Sequence, residues 1–218
     1  MIFLSVFYIF LNMLKQIPNI LTGGRLVLAV IFLVMIFREP SLPADRDMSF
    51  PGYLDYAFII FVIAGLTDMF DGYAARKLNV ASKFGRIVDP LADKVLICGA
   101  FVVFAIIGQP KLFGFTKLQN SVIQWSFVGI IIAREAAVTI LRQWCEAKGI
   151  KFPATLSGKL KMSVQAFAVG TVVVKMAHVQ TAYWGYWFTT ITYLFALFIT
   201  VYSGLLSLKK AKRLAQAS

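Results

Sequence analysis

The sequence predicts an all-α integral membrane protein. Six transmembrane helices follow an N-terminal interfacial segment, and the functional site lies at the cytoplasmic side of the bundle. Three observations carry this. Hydrophobic residues make up 59% of the chain, where soluble domains hold about 45–50%, and mean hydropathy is +0.77. The apolar residues collect into runs of about 20, the length a helix needs to cross the hydrocarbon core. Lys and Arg fall mostly on one side of those runs.

Residues 1–20 form the N-terminal segment. MIFLSVFYIFLNML is apolar but short for a span. It has neither a charged leader nor a small-residue cleavage site, so no signal peptide is expected. It reads as an interfacial helix or as an extension upstream of a start at Met13. Pro18 and the Gly23-Gly24 pair suit an interfacial stretch better than a helix interior. Residues 21–208 hold the six helices. Span one is Leu26–Phe37, extended back towards Leu21, and a polar loop with three prolines follows. Span two is Leu54–Lys77 and span three is Phe84–Gly108, joined by a tight polar turn at Asn79–Lys83. A second loop covers Gln109–Asn120. Span four is Ser121–Trp144, span five Thr155–Ala177 and span six Tyr183–Leu208. An aromatic belt of Tyr183, Trp184, Tyr186 and Trp187 opens the last span. Residues 209–218 read as a basic cytoplasmic tail.

Net charge is +12, and the positions of the charges matter more than their sum. Only Arg38, Arg46, Lys111, Lys117 and Lys175, five of the 22 Lys and Arg, fall on one side. The rest fall on the side of the turn between spans two and three. This bias puts that turn, the tail and the N-terminus in the cytoplasm. The charge is explained by topology, and no nucleic-acid partner is expected. Cys98 and Cys145 lack metal-binding spacing and read as two free, buried thiols.

The stretch Thr67–Lys94 carries the chemistry. It holds Asp68, Asp71, Asp89 and Asp93 between two strongly apolar runs. Carboxylates at membrane depth are costly and are usually functional. At about 100° per residue, Asp68 and Asp71 share a helix face with Gly72, Ala75 and Arg76. Asp89 and Asp93 share another with Gly85. Four acids facing one space repel, which calls for protonation or bound cations. Hard oxygen donors without Cys or His select Mg²⁺, Mn²⁺ or Ca²⁺, and four carboxylates suit a two-metal centre. Gly72, Ala75 and Gly85 leave room for close approach to the backbone, and Arg76 can pair with an anion. Together these residues suit a diphosphate. Pro90 lies between two of the acids, so a kink is expected there. The competing readings are a purely structural ion-pair cluster and a divalent-cation transporter.

Asp68, Asp71, Gly72, Ala75, Arg76, Gly85, Asp89 and Asp93 fit D-x2-D-G-x2-A-R-x8-G-x3-D-x3-D at every fixed position. This resembles the signature of the CDP-alcohol phosphatidyltransferase family. IPNILTGGR at 17–25, AREAAVTILRQW at 133–144 and SGKLKMSVQ at 157–165 look like the members that use glycerol phosphate. The resemblance implies a six-helix membrane fold, a homodimer and two divalent cations, Mg²⁺ or Mn²⁺. It implies that CDP-diacylglycerol gives up its phosphatidyl group to sn-glycerol 3-phosphate, releasing CMP at an active site on the cytoplasmic face of a bacterial inner membrane. By the same resemblance, Asp68, Asp71 and Asp89 hold one metal and Asp68, Asp89 and Asp93 the other. Asp93 is then the general base, and Gly72, Ala75 and Arg76 contact the CDP moiety. Gly85, Asn19 and Thr22 are further candidates for the CDP-diacylglycerol site. Asn19, Thr22 and Arg25 fall at the interface, where they either close the nucleotide pocket or serve only as turn residues.

A dianionic acceptor needs fixed cations, and Arg134, Arg142, Lys159 and Lys161 lie near cytoplasmic helix ends. Arg134 stands out because it lies about two turns inside its span, where an unpaired charge is costly. Glu135 points away from it and is expected to pair with a neighbouring helix. Lys159 and Lys161 are equally compatible with ordinary positive-inside charge. Related chemistry with another acceptor, phosphatidylglycerol or inositol phosphate, remains the nearest alternative.

Overall fold

The computed structural model describes residues 22–41, 51–78, 83–112, 114–150, 156–179 and 182–216, with side chains at all of these except 41, 68–78, 83–90, 156 and 215–216. Asn19 and the rest of the interfacial segment lie outside the described residues. Six long helices and no strand occur among those described. They are α1 (22–38), α2 (Tyr53–Leu78), α3 (Lys83–Ile107), α4 (Lys117–Ala147), α5 (Leu156–His178) and α6 (Tyr183–Gln216). Three are long and apolar enough to cross a membrane over Lys117–Ala147, Ser157–His178 and Tyr183–Leu214, and the Tyr53–Thr67 part of α2 is a shorter apolar stretch. The protein is therefore an all-helical, multi-pass membrane protein. It comprises two compact units, Met1–Gly99 and Ala100–Ser218.

In the first unit, α1 buries Thr22, Arg25, Ala29, Phe32 and Ile36. These recur every three or four residues, so they form one stripe of the helix. Val27, Val30, Ile31, Val34 and Phe37 stay exposed, an apolar surface suited to lipid. α2 buries Leu54, Ala57, Phe61 and Ala64 at the same period. Phe32 and Phe61 meet with ring centroids 5.0 Å apart. Gly99 of α3 lets α1 come close, since a Cβ there would lie 2.7 Å from Leu33 Cδ1. At the start of α2, the Asp55 carboxylate accepts from the Gly52 amide at 2.7 Å and holds the first turn. α3 stays helical on both sides of Pro90.

In the second unit, Phe101, Phe127 and Tyr193 form an aromatic core, with centroid separations of 4.7, 5.0 and 5.6 Å. α4 begins one turn earlier than the apolar run suggests. Thr116 caps it by accepting from the Gln119 amide at 3.3 Å, while the Gln119 side chain accepts from the Thr116 amide at 3.0 Å. The preceding loop is tied to α4 by side-chain amides. Asn120 accepts from the Leu112 amide at 3.1 Å, and Gln124 donates to the Pro110 carbonyl at 2.8 Å. Two residues past the end of α4 stands Gly149, whose φ of 72° is the left-handed value that glycine adopts freely and that turns the chain out of the helix. There the Ile150 amide donates to the Cys145 carbonyl at 2.9 Å.

α6 has 34 residues and so runs about 50 Å at 1.5 Å per residue, well beyond a core of about 30 Å. Residues 209–216, which the sequence suggested as a tail, continue this helix. The reason is packing. Ala211 and Leu214 gather with Leu141, Cys145 and Ile150 in a small apolar cluster. Higher up, Thr189, Thr192, Ala196, Thr200, Ser203 and Ser207 form a buried stripe of small residues. The hydroxyls of Thr189, Thr192, Thr200 and Ser207 donate to carbonyls four residues back, which satisfies them away from water.

Candidate functional site

The backbone of α2 carries Asp68, Asp71, Gly72, Ala75 and Arg76 in its second half, and that of α3 carries Gly85, Asp89 and Asp93 in its first half. The spacings of three and four are thus realised on helices, the condition for sharing a face. Of the four acids, only Asp93 lies among the described side chains. Among those side chains, no group of three or more His, Cys, Asp or Glu is placed to hold a metal ion. The donor set of the motif, carboxylates alone, fits a hard divalent cation.

Asp93 is paired with Arg25. The guanidinium Nη1 of Arg25 lies 3.2 Å from Asp93 Oδ1, with the arginine side chain 1% exposed and the carboxylate 25% exposed. A buried arginine needs an anionic partner, because an isolated charge in apolar surroundings is strongly disfavoured. Thr22 lies one turn before Arg25 in the same buried stripe. The first helix thus brings two of the residues expected at the interface into the packed interior, and one of them touches the expected base. Arg25 and Asp93 are 68 residues apart in sequence. The only hint in the chain was an arginine spaced in register with the apolar face of α1.

A second polar cluster lies in the other unit, where α4, α5 and α6 meet. Glu135 Oε1 accepts from Arg134 Nη1 at 2.9 Å and also pairs with Lys161 Nζ. Glu135 therefore reaches the neighbouring helix α5, as its direction on α4 suggested, but Arg134 folds back to share it. Arg134 Nη2 donates to Ser203 Oγ of α6 at 2.8 Å. One turn deeper, Gln165 Nε2 donates to Thr200 Oγ1 at 3.0 Å. Arg134 and Lys161 are thus brought together in part-buried surroundings, while Arg142 and Lys159 are exposed. Glu135, Ser203 and Gln165 were not among the expected site residues. Their signal was present as polar residues repeating every three or four positions inside apolar helices.

A family model described as CDP-alcohol phosphatidyltransferase matches residues 15–202. The chain is 34% identical over 164 residues to a probable phosphatidylglycerophosphate synthase of Mycobacterium tuberculosis, covering 75% of this chain and 68% of that one. It is 32% identical over 195 residues to the CDP-diacylglycerol–glycerol-3-phosphate 3-phosphatidyltransferase of Bacillus subtilis, covering 87% and 91%. A protein of the same name from Wigglesworthia glossinidia brevipalpis is 32% identical over 166 residues, covering 75% and 80%.

Proposed function

Because the chain belongs to the CDP-alcohol phosphatidyltransferase family, we propose that it transfers the phosphatidyl group of CDP-diacylglycerol to sn-glycerol 3-phosphate. The products are phosphatidylglycerophosphate and CMP, on the route to anionic phospholipids. One observation carries the choice of acceptor. Relatives named for this reaction align over most of the chain, 87% in the Bacillus subtilis case.

The residues divide the work as follows. Gly72, Ala75, Arg76 and Gly85, with Asn19 and Thr22, form the CDP-diacylglycerol site. Arg134, Arg142, Lys159 and Lys161 bind the acceptor's phosphate, and Arg134 and Lys161, which share Glu135, dominate that contact. Asp93 takes the proton from the glycerol hydroxyl. The oxygen so freed attacks the phosphorus next to the lipid, and the bond to CMP breaks. Arg25 holds Asp93 in place through Oδ1. Asp68, Asp71, Asp89 and Asp93 hold two divalent cations, Mg²⁺ or Mn²⁺, which supply charge neutralisation to the diphosphate when bound.

In this reading the protein is a homodimer with six spans per chain in a bacterial inner membrane. Its active site and basic C-terminal end face the cytoplasm, in keeping with the Lys and Arg bias. The test is to incubate purified protein with CDP-diacylglycerol, Mg²⁺ or Mn²⁺ and a panel of acceptors, and to follow CMP. Release with glycerol 3-phosphate is expected. Release only with another acceptor overturns the acceptor assignment, and metal flux without CMP release overturns the enzyme.

A further inference from the structure

We infer that Ser203 and Gly204 of α6 are positioning residues that aim Arg134 at the acceptor's phosphate. This rests on the proposed reaction and adds to it a helix that carries none of the motif.

Arg134 reaches α6 along a route that two residues define. Ser203 is fully buried, and its hydroxyl donates to the Thr200 carbonyl at 3.3 Å. Its proton is thereby committed to the helix backbone. The oxygen is left to face Arg134 Nη2 as an acceptor, at 2.8 Å. Beside it, Gly204 leaves the helix surface bare where the arginine stem lies. A Cβ at Gly204 would come within 3.1 Å of Arg134 Cγ and 3.8 Å of Nε. The glycine therefore makes room for the stem, and the serine fixes the tip.

With Nη1 on Glu135 and Nη2 on Ser203, the guanidinium is held at both ends of its fork. Its Nε is buried and has no hydrogen-bond partner among the described residues. A buried donor on a cation is costly to leave unmade. An incoming phosphate oxygen offers the charge-assisted partner that this geometry lacks. Lys161 shares Glu135 Oε1 with Nη1 of the same arginine, which places a second cation beside the guanidinium. α6 thus determines where the acceptor's dianion is received, without touching it.

The experiment compares purified wild type with Ser203→Ala, Ser203→Thr and Gly204→Ala in the CMP-release assay, varying each substrate in turn. Ser203→Ala and Gly204→Ala are expected to raise the KM for glycerol 3-phosphate roughly tenfold, the scale of a lost charge-assisted hydrogen bond. The KM for CDP-diacylglycerol should stay within about twofold. Ser203→Thr, which keeps the hydroxyl, should restore most of the acceptor affinity. An unchanged acceptor KM in Ser203→Ala, or an equal rise in both KM values, overturns the inference even if Gly204→Ala fails to fold. Absence of CMP release by the wild type with glycerol 3-phosphate refutes the functional reading, and this inference with it.

Discussion

In the proposed reaction Asp93 meets opposing demands: it serves as an accessible base, yet it pairs with a fully buried arginine. Its partial exposure, beside the contact that Oδ1 makes with Arg25, reconciles them. Asp93→Asn keeps an oxygen for Arg25 but cannot take a proton. The variant is expected to fold and to bind CDP-diacylglycerol while turnover drops at least about 100-fold, the usual contribution of a general base. Equilibrium binding of the lipid nucleotide beside a CMP assay checks both halves, and near-normal turnover removes Asp93 from the mechanism. Arg134→Ala should raise the acceptor KM about tenfold or more and leave that of the lipid nucleotide nearly unchanged. Equal rises would mark a structural arginine. The aspartate motif was legible because its members are neighbours on single helices, where spacing alone fixes the face. The Arg25–Asp93 contact was not, because it depends on how α1 packs against α3.

At the scale of elements, the helices from α2 onward were legible from apolar runs and missed mainly at their ends. α4 starts at Lys117 because Thr116 and Gln119 form a reciprocal cap, a signal hidden among the Gly and Pro residues of the loop. α6 outlasts its apolar run because Ala211 and Leu214 extend its buried face under a basic surface. Lys and Arg tolerate that position because their charged ends reach water while their stems cover apolar neighbours. The close approach of α1 and α3 at Gly99 gives a direct test. Gly99→Val drives side-chain carbons into Leu33 and is expected to destabilise the protein by about 1–3 kcal/mol, the usual cost of overpacking. Thermal unfolding in detergent measures it. A Tm equal to the wild type's would mean that Leu33 simply rotates away.

For the whole molecule, composition pointed to a helical membrane protein, and charge asymmetry carries the proposed orientation. Two measurements act at this scale. Chelation with EDTA should abolish CMP release, and added Mg²⁺ or Mn²⁺ should restore it, as a carboxylate-only donor set requires. Activity that survives exhaustive chelation would exclude the two-cation reading. For orientation, Ser218→Cys in a background lacking Cys98 and Cys145 should react with a membrane-impermeant maleimide only after the inner membrane is opened. Reaction in cells whose inner membrane is intact would reverse the topology.

The seat of the last helix on α4 also gives the protein a chemical clock. Cys145 is fully buried and packs with Ala211 and Leu214 of α6, so a thiol reagent reaches it when this packing opens. In a Cys98→Ser background, the rate of Cys145 modification therefore reports how often that seat opens. Anionic lipids drawn to the Lys209–Arg213 stretch can be titrated against that rate. A thiol that takes no part in the reaction then becomes a gauge of how the membrane surface holds the enzyme's last helix.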